Sequence, residues 1–281
     1  MTSNLIIGEN SQIGSEIVKL VNADCFRTTR KGFNKKNVIL YDIRDDIETC
    51  KLELNKIKNA FICIGYTNVG FCQQYPEESG KINLERTLKL VRTLNKFHVK
   101  CTLFSSEYVY DGLSDQAYTE ETIKSANTVY GRQKAMLEDE IKDDYENLIF
   151  RISKLASMRN KKSFLRKMAL EMHGSSEYNA AVDQIFTPIC TRDAARVIVE
   201  VSNSSKTGLF NLCGEETISR YSLAQIIKRK LRLPITIRKV KIDDIKLSYK
   251  VAKNLSMSNA KIKRCTNVQF RSLAEIISDK N

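Results

Sequence analysis

Tyr130 and Lys134 are the residues of this sequence whose types and spacing most directly suggest acid–base chemistry. They stand four positions apart at the start of a stretch with helical periodicity, and that spacing puts both side chains on one face of a helix. A free tyrosine has a pKa of about 10, and a neighbouring ammonium favours the phenolate and brings that pKa toward neutral pH. The pair is therefore a candidate proton donor or acceptor. A YxxxK spacing in isolation is more typical of a structural surface pair.

Two hydroxyl side chains, Ser105 and Ser106, follow a predicted strand at residues 100–104. Ligands bind at the carboxyl ends of the strands of a parallel sheet, so these hydroxyls are expected at a ligand-binding edge. A serine there can hydrogen-bond a substrate carbonyl while the tyrosine supplies a proton and a nicotinamide supplies a hydride. Ser106, Tyr130 and Lys134 together predict a carbonyl-reduction site.

A glycine turn lies between the first predicted strand, residues 4–7, and an amphipathic helix. Gly8 permits the tight turn, Gly14 lets the helix pack closely on the strand, and the amino end of the helix presents unpaired N–H groups to a pyrophosphate. Ser11 occupies the position of the middle glycine of the dinucleotide fingerprint. The two glycines alone are equally typical of an ordinary strand–helix turn.

The ends of the second and third predicted strands bear on the choice of cofactor. The second strand runs into Arg30 and Lys31, where an NAD-selective site would place an acidic residue on the ribose hydroxyls. A cation there suits a 2′-phosphate and favours NADP(H), with NAD(H) as the alternative and a general basic surface as the simpler explanation. Asp42, at the end of the third strand, is placed to accept a hydrogen bond from the adenine amino group.

The elements that must position these residues follow an alternating pattern. Short β-rich apolar runs alternate with stretches of helical periodicity, which is typical of βαβ units and a parallel sheet. Strands are predicted at residues 4–7, 24–28, 37–41, 59–64, 100–104, 147–152 and 208–212, and helices at 76–97 and about 161–173, 192–201 and 222–232. The predicted fold class is α/β: a Rossmann doubly wound parallel sheet with a smaller C-terminal α/β substrate-binding lobe. We expect an NAD(P)-binding domain at residues 1–152 plus about 186–213, and the lobe at about 153–185 plus 214–281.

Composition narrows the class of protein. With 281 residues, 42% of them hydrophobic and 28% charged, the chain falls in the globular range, and no apolar run approaches the about 18 residues that span a membrane. Eight scattered cysteines without a CxxC predict reduced, buried thiols and a cytoplasmic location. The net charge of +13 favours anionic partners, but the lysines are spread without interleaved aromatics, which argues against nucleic acid. His98 and His173 have no further ligands at metal-binding spacing, so no metal site is predicted.

Six motifs run in one order along nearly the whole chain. They are GENSQIG at 8–14, TNVGFCQQYPEESGKIN at 67–83, SSEYVYDG at 105–112, TVYGRQK at 128–134, DQIFTP at 183–188 and NLSMSNAKI at 254–262. In these motifs the chain resembles the extended short-chain dehydrogenases/reductases, and within them the dTDP-4-dehydrorhamnose reductase-like branch. The resemblance implies an NAD(P)H-dependent reductase that adds a hydride to the C4 carbonyl of a nucleotide-linked 4-keto-6-deoxy sugar.

The resemblance also implies roles for individual residues. Tyr130 would be the general acid, Lys134 would bind the nicotinamide ribose, and Ser106 would take the place of a residue that is usually threonine. Asn83 matches a helix position that supports the active site in the family. The implied catalytic residues are Tyr130, Lys134 and Ser106. The residue patterns and the resemblance together give the expected cofactor-binding residues: Gly8, Asn10, Ser11, Gln12, Ile13, Gly14, Arg30, Asp42, Ile43, Ile64, Gly65, Tyr66, Ser105, Tyr130 and Lys134. The expected substrate-binding residues are Ser106, Glu107, Tyr130 and Arg192, of which Arg192 is included for its own chemistry, as a guanidinium that could reach a substrate phosphate or could be an ordinary exposed helix residue.

Two departures and three alternatives accompany this interpretation. The chain has no tryptophan, whereas rhamnose-forming members use one near the sugar, and Gly70 stands where aspartate is frequent. A non-catalytic NADP-binding regulatory subunit, like the methionine adenosyltransferase β subunit, is one alternative. A sugar-nucleotide epimerase or dehydratase of the same superfamily is another, and a basic nucleic-acid binder is the third. The expected partner is a nucleotide-sugar substrate, with a homodimer left open.

Overall fold

The computed structural model describes residues 3–21, 25–30, 37–142, 146–245, 249 and 251–279. In chain order, its strands are β1 (Ser3–Ile7), β2 (Phe26–Thr29), β3 (Val38–Leu40), β4 (Ile57–Ile62), β5 (Lys100–Ser106), β6 (Leu148–Ile152), β7 (Leu155–Ala156), β8 (Glu177–Ala181), β9 (Ile185–Phe186), β10 (Ile189–Cys190), β11 (Gly208–Leu212), β12 (Ile218–Ser219) and β13 (Thr236–Val240). Its α-helices are α1 (Gln12–Leu20), α2 (Val69–Gln74), α3 (Pro76–Gly80), α4 (Thr87–Lys96), α5 (Val129–Ile141), α6 (Phe164–His173), α7 (Thr191–Ser202), α8 (Arg220–Leu231), α9 (Ala260–Lys263) and α10 (Leu273–Ser278).

Seven strands form the central sheet, in the order β11-β6-β5-β4-β1-β2-β3, and every neighbouring pair is parallel. The predicted doubly wound parallel sheet is confirmed. The strand order reverses between β1 and β4, so the crevice at their carboxyl ends is the switch point where such sheets bind ligands. The loops that follow β1 and β4 therefore lie side by side at this edge.

Alternating side chains divide the core between the two faces of the sheet. In β1, Leu5 and Ile7 pack in the cluster that includes Leu94 of α4, whereas Ile6 packs with Ile17 of α1 on the other face. This period of two is what a strand requires when both of its faces are covered by helices. A third cluster joins α6, α8 and α10 with β8 and β13, outside the central sheet. The predicted division into two domains stays a prediction.

The predicted bounds differ from the observed ones mainly at the ends of elements. The second strand begins at Phe26, and the predicted residue 24 lies outside the described residues. The long helix predicted at 76–97 contains a π-helical segment, Lys81–Arg86, between α3 and α4. A π-helical turn carries an extra residue, and in this segment the buried side chain is that of Asn83.

Candidate active site

The turn after β1 has no room for side chains at its two glycines. Gly8 has a φ of +92°, and a Cβ there would lie 2.6 Å from Cγ2 of Ile64. A Cβ on Gly14 would lie 2.5 Å from the carbonyl oxygen of Gly8. Ser11 caps α1 by accepting a hydrogen bond from the Gly14 N–H at 2.9 Å. The first two helical N–H groups, those of Gln12 and Ile13, have no hydrogen-bond partner in the described part of the chain and form a cradle for an anionic group.

Three predicted cofactor residues of this turn use their side chains within the protein. Asn10 donates from Nδ2 to Oγ1 of Thr29 at 2.9 Å. Gln12 donates from Nε2 to the carbonyl of Leu155 and to Oγ1 of Thr191, both at 3.1 Å. Ile13 is buried in the core below α1. Their backbone groups, and not their side chains, are what the turn offers to a ligand.

A charged cluster lies at the ends of β2, β3 and β4. Arg44 holds Asp42 with Nε and Nη2 at 2.9 and 2.6 Å, and these bonds lower the pKa of Asp42 to about 2. Arg30 is exposed, and its charge also lowers the pKa of Asp42 and opposes the rise in the pKa of Tyr66. Ile43 is buried beside this cluster. Lys31, the second predicted cation, lies outside the described residues.

The loop after β4 is fixed by one buried amide. Asn83, only 1% exposed, accepts a hydrogen bond from the backbone N–H of Tyr66 at 2.7 Å and donates to the side-chain oxygen of Gln133 at 2.9 Å. Gly65 in this loop has a φ of +137°, and a Cβ there would lie 3.0 Å from Oδ1 of Asn83. Asn83 therefore ties the loop to α5, the helix that carries Tyr130.

Tyr130 and Lys134 lie on one face of α5, as the spacing predicts, and each is 6% exposed. Lys134 donates from Nζ to the carbonyl of Phe104 at 2.8 Å, and Nζ lies 5.9 Å from the centre of the Tyr130 ring. Burial lowers the pKa of Lys134 to about 8. Burial also raises the pKa of Tyr130 above that of a free tyrosine, and a hydrogen bond with Ser106 only partly opposes the rise. In this structure burial therefore raises the phenol pKa, whereas the spacing alone predicted that the neighbouring ammonium would lower it.

The neighbouring serines have different partners. Ser106 lies against the phenol of Tyr130 and accepts a hydrogen bond from the Tyr108 N–H at 3.3 Å. Ser105 instead donates a very short hydrogen bond to Glu138, which also pairs with the buried Arg151 at 2.7 Å. Ser106 thus lies with Tyr130 and Lys134, while the hydroxyl of Ser105 is held by a buried ion pair.

The two predicted substrate residues outside this cluster are engaged elsewhere. Glu107 is 2% exposed, and its carboxylate accepts from Ser153 Oγ at 2.5 Å and from Lys154 Nζ at 3.0 Å. Arg192 pairs with Asp279 at 2.9 Å, and the same carboxylate also pairs with Arg159. Nothing in the described part of the chain joins Arg192 to Tyr130 or Ser106.

Sequence reasoning missed Lys154, which lies two residues past the end of β6, at the same edge of the sheet as Ser106. Its Nζ lies 5.2 Å from the ring centre of Tyr108 and 5.6 Å from that of Phe186. The Tyr108 ring in turn meets the Tyr130 ring edge-on at 6.0 Å. The rule that located Ser105 and Ser106, polar residues just past a parallel strand, applies equally to Lys154.

Comparison with known proteins shows the family to which the chain belongs. A family model described as the RmlD substrate binding domain matches residues 2–279. The chain belongs to this family. The family resemblance expected from the six motifs is thereby confirmed.

The prediction of buried thiols holds for six of the eight cysteines.

Relatives of this RmlD substrate binding domain protein include two curated proteins. The dTDP-4-dehydrorhamnose reductase of Sinorhizobium fredii is 28% identical over 188 residues, which cover 64% of this chain and 63% of that protein, a little under two thirds. The dTDP-4-keto-6-deoxy-D-glucose reductase of Streptomyces niveus is 24% identical, with 86% of this chain and 83% of that protein covered.

Among solved structures, the dTDP-4-dehydrorhamnose reductase of Bacillus anthracis in complex with NADP superposes with a TM-score of 0.84. It is 19% identical, and the match covers 99% of this chain and 98% of that one, so it supports the fold assignment. None of the helices in the described ranges combines the length and apolar character needed to cross a membrane.

Proposed function

We propose that this protein is an NADPH-dependent reductase of a nucleotide-linked 4-keto-6-deoxy sugar, with hydride addition to the C4 carbonyl and Tyr130 as the general acid. The observation that carries the proposal is the convergence of Ser106, Tyr130 and Lys134 next to the crevice between β1 and β4. Membership of the RmlD substrate binding domain family and the names of its relatives support the substrate class.

The crevice fits a dinucleotide. The open N–H groups of Gln12 and Ile13, next to two glycines that have no room for a Cβ, suit a pyrophosphate. Arg30 and Asp42, which follow β2 and β3, would hold the adenosine half, and Ile64 and Gly65, which follow β4, would lie along the nicotinamide half. When bound, NADPH supplies the hydride for the reduction.

The chain's own residues supply the proton, orient the carbonyl and stabilise the phenolate that forms. Because burial raises the pKa of Tyr130, the phenol keeps its proton at neutral pH and can donate it to the carbonyl oxygen as the alcohol forms. Ser106 hydrogen-bonds the same oxygen and orients it. Lys134 stabilises the phenolate that remains, and its hydrogen bond to Phe104 holds the ammonium in place.

The curated relatives favour a reductase over the epimerase or dehydratase alternative, because both are named as reductases of nucleotide-linked sugars.

Arg30 supports NADPH as the preferred cofactor, because its exposed guanidinium stands at the end of β2, where a 2′-phosphate would lie. Arg30→Ala is expected to weaken NADPH binding about tenfold and to leave NADH binding unchanged. Arg264→Ala, which removes an exposed charge after α9, is the matched control.

The test of function is NADPH oxidation against a panel of nucleotide-linked 4-keto-6-deoxy sugars, with NADH in parallel. Turnover of one of them, with the alcohol product identified by mass and NMR spectroscopy, supports the proposal. Tight NADPH binding without turnover of any member would overturn it in favour of a regulatory subunit.

A further inference from the structure

Lys154 and Arg220 each lie over a tyrosine ring, Lys154 over Tyr108 and Arg220 over Tyr178, and only Lys154 has a carboxylate partner among the described residues. Lys154 is paired with Glu107 at 3.0 Å, so together they carry no net charge. Arg220, the first residue of α8, donates from Nε and Nη2 to the Tyr178 hydroxyl at 3.2 and 2.7 Å. Among the described residues Arg220 forms no ion pair.

Arg220 is linked to the site through the pairing of β12 with β9. Its backbone N–H donates to the carbonyl of Gln184 at 2.9 Å, and the Phe186 ring on β9 lies 5.6 Å from Nζ of Lys154. The Tyr249 side chain packs against the cluster that contains Tyr108 and Tyr130. The charges of Lys154 and Arg220 both lower the pKa of the Tyr249 phenol, although burial keeps it raised, at about 12. The contacts therefore lead from Tyr130 with Ser106 to Tyr108 with the Glu107–Lys154 pair, then to Phe186 on β9, and then to Arg220 at the end of the paired strand β12.

Other charges near Arg220 do not neutralise it at short range. Glu171 on α6 is a carboxylate whose charge raises the pKa of Tyr178, but it lies beyond ion-pair distance of Arg220. Lys253 and its partners Asp183 and Asp243 form a separate set of ion pairs. The guanidinium is half-buried, anchored by Tyr178 on one side, and has N–H groups left for a ligand.

This order matches the chemistry of a nucleotide-linked sugar. Its reacting carbonyl belongs beside Tyr130 and Ser106, its uncharged sugar ring suits the neutral Glu107–Lys154 pair, and its diphosphate needs a cation farther along. Guanidinium groups bind phosphate oxygens through two parallel hydrogen bonds, which a lysine cannot reproduce. We propose that Arg220 binds the diphosphate of the substrate. This inference rests on the proposed function for the identity of the substrate, and Arg220 takes the role that the sequence assigned to Arg192.

The experiment measures binding separately from turnover. Calorimetric titration with dTDP, UDP, GDP and CDP identifies the nucleoside diphosphate that the wild-type protein binds best. Arg220→Ala is expected to weaken that binding about tenfold to a hundredfold, the loss typical of a charge-assisted hydrogen bond. NADPH affinity should stay unchanged. In turnover assays KM for the sugar nucleotide should rise by the same factor while kcat is kept.

Three further variants sharpen the result. Arg229→Ala removes a charge from the exposed far end of the same helix and should bind like the wild type. Arg220→Gln keeps a donor for Tyr178 and should still lose the affinity, which guards against misfolding of Arg220→Ala. Tyr178→Phe removes the anchor of the guanidinium and should weaken binding by less than Arg220→Ala.

Wild-type affinity for the diphosphate in both Arg220 variants would overturn the inference, as would the absence of binding of all four nucleotides to the wild type. Failure of the proposed function looks different. In that case the diphosphate would bind in an Arg220-dependent manner while no keto sugar is reduced.

Discussion

The ammonium of Lys154 lies 3.0 Å from the carboxylate of Glu107, and little of either side chain reaches solvent: 18% for Lys154 and 2% for Glu107. Ser153 donates to the second carboxylate oxygen at 2.5 Å. Glu107 comes directly after Ser106 at the end of β5, and Lys154 lies two residues past the end of β6, so the pair lies beside the candidate active site. Removing one member of a buried ion pair is costly, because the other charge remains without a partner.

Glu107→Gln should therefore lower the free energy of unfolding by about 3 kcal/mol, measured by urea denaturation. The double variant Glu107→Gln with Lys154→Met should recover much of the loss, since no unpaired charge remains. Glu53→Gln, in the exposed ion pair with Lys56, is the control and should cost less than about 1 kcal/mol. Equal losses in the two single variants would contradict this account.

Tyr130→Phe removes the proposed proton donor and leaves its ring packed against Tyr108. The rate of sugar reduction should fall by about a hundredfold to ten-thousandfold, while the thermal midpoint and NADPH affinity stay near those of the wild type. Stopped-flow measurement of NADPH oxidation at saturating substrate reports the change. Full turnover in this variant would remove Tyr130 from the mechanism.

Ser106 and Ser105 are adjacent hydroxyls with different partners, which makes them a matched pair. Ser106→Ala should reduce kcat about tenfold to a hundredfold and leave stability nearly unchanged, because its hydroxyl faces Tyr130. Ser105→Ala should mainly lower the free energy of unfolding, by about 1–3 kcal/mol, because Glu138 loses a buried donor. Kinetics and denaturation of both variants test the distinction, which fails if the two serines behave alike.

The pH dependence of the reaction should report on Lys134. Its pKa in the folded protein is about 8, so the ammonium is present below that pH and is lost as the pH rises through it. Since the charge stabilises the phenolate of Tyr130, kcat/KM should fall on the alkaline side of about pH 8. Lys134→Arg introduces a guanidinium, which does not titrate in this pH range. The variant should therefore keep a constant kcat/KM above pH ~8, although its overall rate should be lower. Persistence of the same alkaline limb in Lys134→Arg would assign it to another group.

Short-range sequence patterns were sufficient to predict which elements carry the residues of the candidate site. The turn at Gly8 and Gly14, the edge position of Ser106 and the shared helix face of Tyr130 and Lys134 all follow from spacings of a few residues within one or two elements. The same is true of the parallel strands, because apolar runs between helical stretches have few other ways to be covered on both faces.

Partners that are distant in sequence were not predictable. Glu107 meets Lys154 across 47 positions and Ser105 meets Glu138 across 33, and each contact changes what the acidic or hydroxyl group can do. Arg192 was expected at the substrate, but the start of α7 places it against Asp279 near the end of the chain. The π-helical segment that buries Asn83 also has no signal in the apolar periodicity.

The sequence by itself determined which residues stand at the carboxyl edge of the sheet, because that depends on local spacing along each strand and helix. Only the tertiary structure decided which of those residues are left for a ligand. Burial raises the cost of an unpaired polar group, so Glu107 and Ser105 are held by partners that folding brings to them, while Ser106, Tyr130 and Arg220 remain at the cleft.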